Sequence, residues 1–308
     1  MTDHHPLLAA APLGKSSTTP SHYDAALLFP IPRAMAREGL HLTASLPFIG
    51  ADYWTGYELG WLNAKGKPQV GMLQVVVPCE TPNMVESKSF KLYLNSFNNH
   101  RVDSSESLAQ CIARDINAVL WQGHTSGGQA TVKILLPDAF EKEKIGAFKA
   151  LSIDRLDIEV SQPQYDPTLL RVNASDAPVE EALCSDLLRA LCRVTGQPDW
   201  GSIQIYYAGR QIDQAGLLEY IIGFRDQQEF HEPLAERILL TSCASANPAS
   251  YRCLFASHGA AAWILILYAK TFLASRRPCI AWHGSKHPER RRLLFKSFWA
   301  LGCFQLLN

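Results

Sequence analysis

Three short stretches of this 308-residue chain bring together side chains able to do covalent or proton-transfer chemistry. In the first, Cys192 comes shortly before Gly196-Gln197-Pro198-Asp199-Trp200-Gly201. A cysteine attacks as the thiolate, and an acid close by, here Asp199, could protonate an atom made basic by that attack. In the second, Glu229-Phe230-His231-Glu232, His231 is the side chain suited to exchange protons near neutral pH. Glu232 offers two acceptor oxygens, which match the paired N–H donors on the edge of a guanine-like base. The third, Glu86-Ser87-Lys88-Ser89-Phe90-Lys91, sets one acid beside two hydroxyls and two cations. On a helix Lys88 and Lys91 share a face that could meet phosphates. Taken singly, each stretch also has a structural reading. Cys192 suits a small core position, Asp199 a turn cap, His231-Glu232 a helix N-terminus favoured by the dipole, and Glu86 a solvated helix start.

These groups need elements to hold them. Val70 to Pro78 alternates and reads as a strand, Glu86 to Phe97 as a strand end entering a helix, and Ala130 to Leu136 as a strand stopped by Pro137. Leu108, Ile112, Ile116 and Leu120 recur at helical spacing over Ser105 to Leu120. Leu183, Leu187, Leu188 and Leu191 predict a second amphipathic helix over Val179 to Val194, placing Cys192 near its end. Residues 1–22, rich in Pro, Ala, Ser and Thr, read as a flexible leader, and 161–178 as a linker. A hydrophobic content of 47% and a net charge of zero fit a packed globular chain, and argue against a strongly basic nucleic-acid binder. Eight cysteines without a secretory signal read as reduced thiols in the cytoplasm.

The chain repeats itself. Gly66-Lys67-Pro68-Gln69-Val70-Gly71 lies beside Gly196-Gln197-Pro198-Asp199-Trp200-Gly201, Tyr93 to Phe97 beside Tyr220 to Phe224, and Leu108-Ala109 beside Leu234-Ala235. Such a period is too long for a solenoid and fits two copies of a small α+β domain, each with strands before a helix pair. The copies differ at the chemistry. Leu62 stands where the second copy has Cys192, Gln69 where it has Asp199, and Asp213-Gln214-Ala215-Gly216 where the first has Glu86-Ser87-Lys88-Ser89. Each copy holds polar groups the other lacks, which suits a composite site.

Glu86 to Asn98, Cys192 with Gln197 to Gly201, and Glu229 to Glu232, in that order, resemble the QueF family of nitrile reductases in its long, two-copy form. Tyr57 to Gly66, Gly209 to Asp213 and Tyr23-Asp24-Ala25 fit the same family, and the likeness runs from about residue 22 to 240. The resemblance implies tandem tunnelling-fold repeats, antiparallel sheets with helices on one face, as an N-terminal copy over 23–160 and a C-terminal copy over 179–240. It implies reduction of 7-cyano-7-deazaguanine to the 7-aminomethyl compound with two NADPH, in tRNA queuosine biosynthesis. Cys192 would form a thioimide, Asp199 would protonate the nitrile nitrogen, and His231 would supply protons. Val85, Glu86, Ser87, His231 and Glu232 would contact the base, while Ser87 and Lys88 would contact NADPH. No metal, membrane or direct nucleic-acid partner is expected, and the assembly implied is a homodimer where the second copy is complete. The rival from another class is a non-catalytic purine- or pterin-binding module of the same fold, which needs no thiol at Cys192.

Beyond residue 240 the character of the sequence changes. The first 240 residues hold 20 basic and 28 acidic side chains; the last 68 hold nine basic and one acid, Glu289, with four of the eight cysteines. The family continues with Arg-Arg-Gly-Gly-Leu-Asp-Ile-Asn-Pro, whose Arg-Gly belongs to the NADPH site, whereas here Gly259 to Leu267 follows. Codons for the family peptide, read after dropping one base, give the peptide seen. The expectation is that 241–308 is an aberrant tail translated in a shifted frame. The second copy would then lack its last two strands, leaving a bare sheet edge and a weakly active or inactive reductase. Two other readings of the tail are a membrane anchor over Ala260 to Ser275 and a metal site at Cys279, His283 and His287.

Overall fold

Each copy is built on one long hairpin, and the two hairpins match in detail. A computed structural model describes residues 7, 10–12, 14–16, 18–42, 46–125, 127–143, 148–160, 163–173, 177–246, 250–257 and 264–273. The first copy opens with strand β1 (Pro30–Pro32) and a one-turn helix α1 (Ala34–Arg37). The hairpin β2 (Ile49–Leu62) and β3 (Pro68–Pro78) follows, then β4 (Asn83–Val85), α2 (Ser87–Asn95), α3 (Ser105–Leu120) and β5 (Thr131–Leu135). The second copy comprises β6 (Leu151–Ser152), the hairpin β7 (Pro178–Leu191) and β8 (Pro198–Arg210), α4 (Gln214–Ile222), α5 (His231–Ala246), β9 (Ser250–Ser257) and β10 (Ile264–Leu273). β2 and β7 are both 14 residues long, α2 and α4 both nine, α3 and α5 both 16. The strands form one sheet in the order β5-β3-β2-β10-β9-β8-β7-β6, antiparallel except for β6 on β7, while β1 and β4 pair apart from it. This is the α+β arrangement of two copies, antiparallel strands with helices, that the sequence implies.

The helix over Ser105–Leu120 forms as its spacing predicts. Ser104 caps it, its hydroxyl accepting from Ser107 N at 3.1 Å. Leu108, Ile112, Ile116 and Leu120 are all buried against Trp54, Trp61, Leu73 and Val75 of the β2–β3 face. Each such side chain contributes about 1.5–3 kcal/mol on leaving water. In the second copy Leu234 and Ile238 of α5 cover Leu183, Leu188, Ile203 and Ile205 in the same way. In both copies the helix pair therefore lies on one face of the sheet.

The helix expected over Val179 to Val194 is instead strand β7. Its buried positions are Leu183 and Ser185, then Leu188 and Ala190, a period of two broken once. The break is a β-bulge: register moves from Ser185 opposite Ile203 to Leu188 opposite Gly201, so β7 carries one extra residue. That extra residue converts strand alternation into a false helical spacing. β2 bulges at the matching place, between Gly56 and Leu59.

The boundaries also differ from the sequence reading. Ile153 and Leu170 lie in the second copy's core, with Tyr165 packed on Tyr220 and Phe224, so much of the expected linker and the end of the first span belong to the second copy. The leader is partly packed: Ala11 is buried, and the Lys15 carbonyl accepts from Lys88 Nζ. The second copy does not end at residue 240. α5 runs to Ala246, β9 pairs with β8, and β10 joins β9 to β2, so the bare edge expected there is covered. Backbone pairing is indifferent to side-chain order, and tail segments such as Ser250–Ser257 and Ile264–Leu273, rich in aromatic and aliphatic residues, suit strands. Cys279, His283 and His287 lie outside the described residues, as does part of the proposed anchor.

Candidate active site

The end of β7 and the hairpin turn fix Cys192. Its N–H donates to Gln197 O at 2.7 Å, and its carbonyl accepts from Gly196 N at 2.9 Å. Gly196 takes φ +68°, a left-handed value that costs a glycine little and other residues more. Asp199 pairs with Ala190 across the hairpin, so the two share a sheet face, with Cys192 two residues beyond Ala190.

His231 comes to this mouth because the loop before α5 is stitched to β7. Leu191 N donates to Gln227 O at 2.8 Å and Leu191 O accepts from Glu229 N at 3.1 Å, at the residue adjoining Cys192. His231 Nε2 then stands 4.0 Å from Asp199 Oδ2, with the imidazole 5.2 Å from the Phe255 ring. Glu229 holds the loop, accepting from Arg193 Nη1 at 3.3 Å and Arg237 Nη2 at 3.1 Å. Glu232, the next residue of α5, is buried. Burial pushes its carboxyl up to about 7, with Asp52 and Glu236 adding to the rise and Arg33 opposing it.

The first copy contributes from the end of β4 and the start of α2. Val85 is buried and lines a small cavity with Asp52, Trp54, Met84 and Phe90. Glu86 is also buried, which excludes the solvated-helix-start reading. It is the N-cap of α2: Oε1 accepts from Lys88 N and Oε2 from Ser89 N, both at 2.7 Å. Desolvation raises its carboxyl while these N–H groups draw it back. Each oxygen keeps a second lone pair for a further donor. Ser87 and Lys88 are half-buried on the first turn of α2. Glu86 already occupies the N–H groups of Lys88 and Ser89, so a phosphate here would be met by the Ser87 hydroxyl and the Lys88 ammonium. Those groups fit the anionic part of a dinucleotide.

The halves meet beside this site. Phe230 packs with Ile31 and Met84, and a second small cavity is lined by Ile31, Arg33, Met84, Arg193, Phe230 and Glu236. Met84 lines both cavities. Sequence reasoning missed Arg33, Asp52, Arg193 and Glu236. The available signal was spacing: Arg33 and Arg37, like Glu232 and Glu236, are one helical turn apart on otherwise apolar segments.

The comparisons with known proteins meet the geometry here. Residues 19–125 match the family model for the N-terminal part of the nitrile reductase, 7-cyano-7-deazaguanine reductase, and residues 198–263 match that for QueF-like protein. The NADPH-dependent 7-cyano-7-deazaguanine reductase of Burkholderia multivorans is 51% identical over 238 residues, 77% of this chain and 85% of its own length. That of Acidovorax ebreus is 48% identical over 236 residues, 77% of this chain and 84% of its own. The chain belongs to the QueF nitrile reductase family. A solved structure of the archaeosine synthase QueF-Like in its apo form shares 16% identity over 33% of this chain and 99% of its own, with a TM-score of 0.28. Within the QueF family reading, Cys192, Asp199, His231 and Glu232 all come from the second copy, and Val85, Glu86, Ser87 and Lys88 from the first. Among the described residues no His, Cys, Asp or Glu cluster could hold a metal, and no helix is long and apolar enough to cross a membrane.

Proposed function

We propose that this chain reduces the nitrile of 7-cyano-7-deazaguanine to the aminomethyl group with NADPH, as a step of queuosine biosynthesis. The reading rests on the curated relatives, which are NADPH-dependent reductases of that nitrile. The structural observation that carries it is the stitching of residues 227–229 to Leu191, which sets His231 4.0 Å from Asp199 in the mouth of the Cys192 hairpin. The balance is one nitrile, two NADPH and two protons giving one primary amine and two NADP⁺. The Cys192 thiolate adds to the nitrile carbon, forming a C–S bond, while Asp199 protonates the nitrogen and leaves a thioimide. NADPH, when bound, supplies a hydride in each of two reductions. Between them the C–S bond breaks, the thiolate departs with the bonding pair, and an imine remains for the second. His231 delivers the remaining proton to nitrogen. Glu232 accepts from the paired N–H donors of the base, with Val85, Glu86, Ser87 and His231 around it; Ser87 and Lys88 hold the cofactor. A thiolate nucleophile needs a reducing compartment, so we place the enzyme in the cytoplasm.

Mixing the protein with the nitrile alone tests this. A new absorbance band and a mass increase equal to the substrate are expected, both lost in Cys192→Ala; noncovalent binding alone would refute the mechanism.

We infer in addition that the reading frame changes near residue 240. The collapse in acidic residues, the clustered cysteines and the missing family Arg-Gly support this, whereas the second family model runs past that point, to residue 263. The tail supplies strand backbone but not those cofactor residues, so weak turnover is expected. Coding DNA with no family-like reading in another frame, or turnover by the 308-residue chain like that of its relatives, would overturn the inference.

A further inference from the structure

Arg33 and Arg37 lie one turn apart where β1 gives way to α1, and both are buried. Arg33 is held by Asp52 on β2 and by Thr81 Oγ1, to which its Nε donates at 3.3 Å. Arg37 reaches across to the second copy. Its Nη2 donates to Glu236 Oε1 at 2.7 Å and its Nε to Glu236 Oε2 at 3.0 Å, a two-pronged pair; Nη2 also donates to Cys79 O at 2.7 Å. Glu236 is one turn beyond Glu232 on α5, so the two carboxylates share a helix face. Asp52, Arg33 and Glu236 are the charges that act on Glu232. The acid assigned to the base is thus buried among two ion pairs, and both arginines belong to the other copy.

We propose that Arg37 is a positioning residue for Glu232: by neutralising Glu236 from the opposite copy, it fixes the turn of α5 that carries Glu232 and shields the Glu232 carboxylate from a second negative charge. This rests on the reading of Glu232 as the acid that takes the base's paired N–H donors. A bare Glu236 carboxylate beside Glu232 would raise the cost of ionising it, and a neutral Glu232 presents one acceptor and one donor to a base that brings two donors. The pair also explains how a substrate acid on the second copy depends on the first copy without touching the substrate-facing residues Val85 and Glu86. The charged and titratable groups around Glu232 are Asp52 on β2, Arg33 and Arg37 around α1, and Glu236 on its own helix. At the helix entry stand His231 with Asp199, and Glu229 with Arg193 and Arg237.

The test is calorimetric binding of 7-cyano-7-deazaguanine to the 308-residue chain from pH 6 to 9, in a Cys192→Ala background that removes the covalent step. Arg37→Gln should weaken binding about tenfold at pH 7 and converge on the parent by pH 9. Glu236→Gln should move the acid limb of the binding profile the opposite way, Arg37→Lys should recover most of the loss, and Arg37→Gln with Glu236→Gln should return near the parent profile. A loss in Arg37→Gln that is the same at every pH, or limbs that move together in Arg37→Gln and Glu236→Gln, overturns the proposal. Should Arg37→Gln fail to fold, Glu236→Gln and Arg37→Lys decide by the same criteria. Glu232→Gln separates the two readings: unchanged binding there would sink the role of Glu232 itself, whatever Arg37 does.

Discussion

The two copies share a backbone down to its irregularities and divide the chemistry. Both long hairpins bulge at the same point, both turns place a glycine at positive φ (Gly66 and Gly196), and both helix pairs begin after an acidic N-cap, Glu86 or Asp213. Even the aromatic cluster recurs, with Tyr93 edge-on to Phe97 at 5.3 Å and Tyr220 edge-on to Phe224 at 5.1 Å. Yet where the second copy has Cys192 just after its first long strand the first has Asn63, not the Leu62 that sequence spacing suggests: Leu62 matches Leu191, since they pair with Pro68 and Pro198, and the second turn is one residue longer. Where α5 begins with His231-Glu232, α3 begins with Ser105 and the exposed Glu106. The difference teaches that the scaffold constrains side-chain identity only where it packs. At strand ends and helix starts identity is free to follow function, and there the copies diverge.

Changing Cys192 should have the largest effect. Cys192→Ala is expected to lower turnover by about a thousandfold or more and to abolish the covalent adduct, whereas Asn63→Cys, at the matching place, should form none, as mass spectrometry would show. Next comes Glu232→Gln. Loss of a charged acceptor costs about 1.5–3 kcal/mol, so calorimetry should show substrate binding weakened by tenfold to a hundredfold. Glu106→Gln should leave binding unchanged. Glu232→Gln should also stabilise the fold at pH 8. A buried carboxyl raised to about 7 contributes stability that is fully present below its unfolded value near 4.5 and lost as pH climbs through about 7. A gain of about 1–3 kcal/mol in urea denaturation at pH 8, vanishing by pH 4, is the expected signature.

The cores should respond alike. Leu108→Ala and Leu234→Ala, at matching buried positions, should each cost about 2–5 kcal/mol by chemical denaturation. Values differing by more than about 2 kcal/mol would break the equivalence of the helix pairs. The smallest contrast concerns the tyrosines. Tyr93 donates to Asp115 at 2.7 Å, while Tyr220 has Thr241 beside it, whose hydroxyl donates to Arg237 O at 2.8 Å. Tyr93→Phe should destabilise the fold by about 1 kcal/mol more than Tyr220→Phe in thermal denaturation, since Tyr93 loses a bond to a charged acceptor while the buried Tyr220 hydroxyl makes no hydrogen bond of good geometry among the described residues.

Much of this was legible from sequence. Helix α3 announced itself because Leu108, Ile112, Ile116 and Leu120 form an uninterrupted stripe, and the duplication because turn and aromatic residues kept their spacing. β7 misled because its bulge inserts one residue into a period of two, and no local signal distinguishes that from a period of 3.6. The candidate site was legible as three motifs, yet the residues that hold them together were not. Arg37 and Glu236 are far apart in the chain, and only folding reveals that they meet.

The paired bulges also govern how each strand tolerates changes in length. Removing one residue from β7 at the bulge, such as the exposed Leu187, would restore strict alternation, and one arm of the strand would have to turn over. Either Leu183 and Ser185 leave the core, or Leu188, Ala190 and the turn bearing Cys192 rotate to the far side of the sheet. The equivalent deletion in β2, at Glu58, displaces only packing residues such as Leu59 and Trp61. A one-codon loss would therefore damage folding in either hairpin, but only in β7 does it also threaten to carry the nucleophile away from its partners.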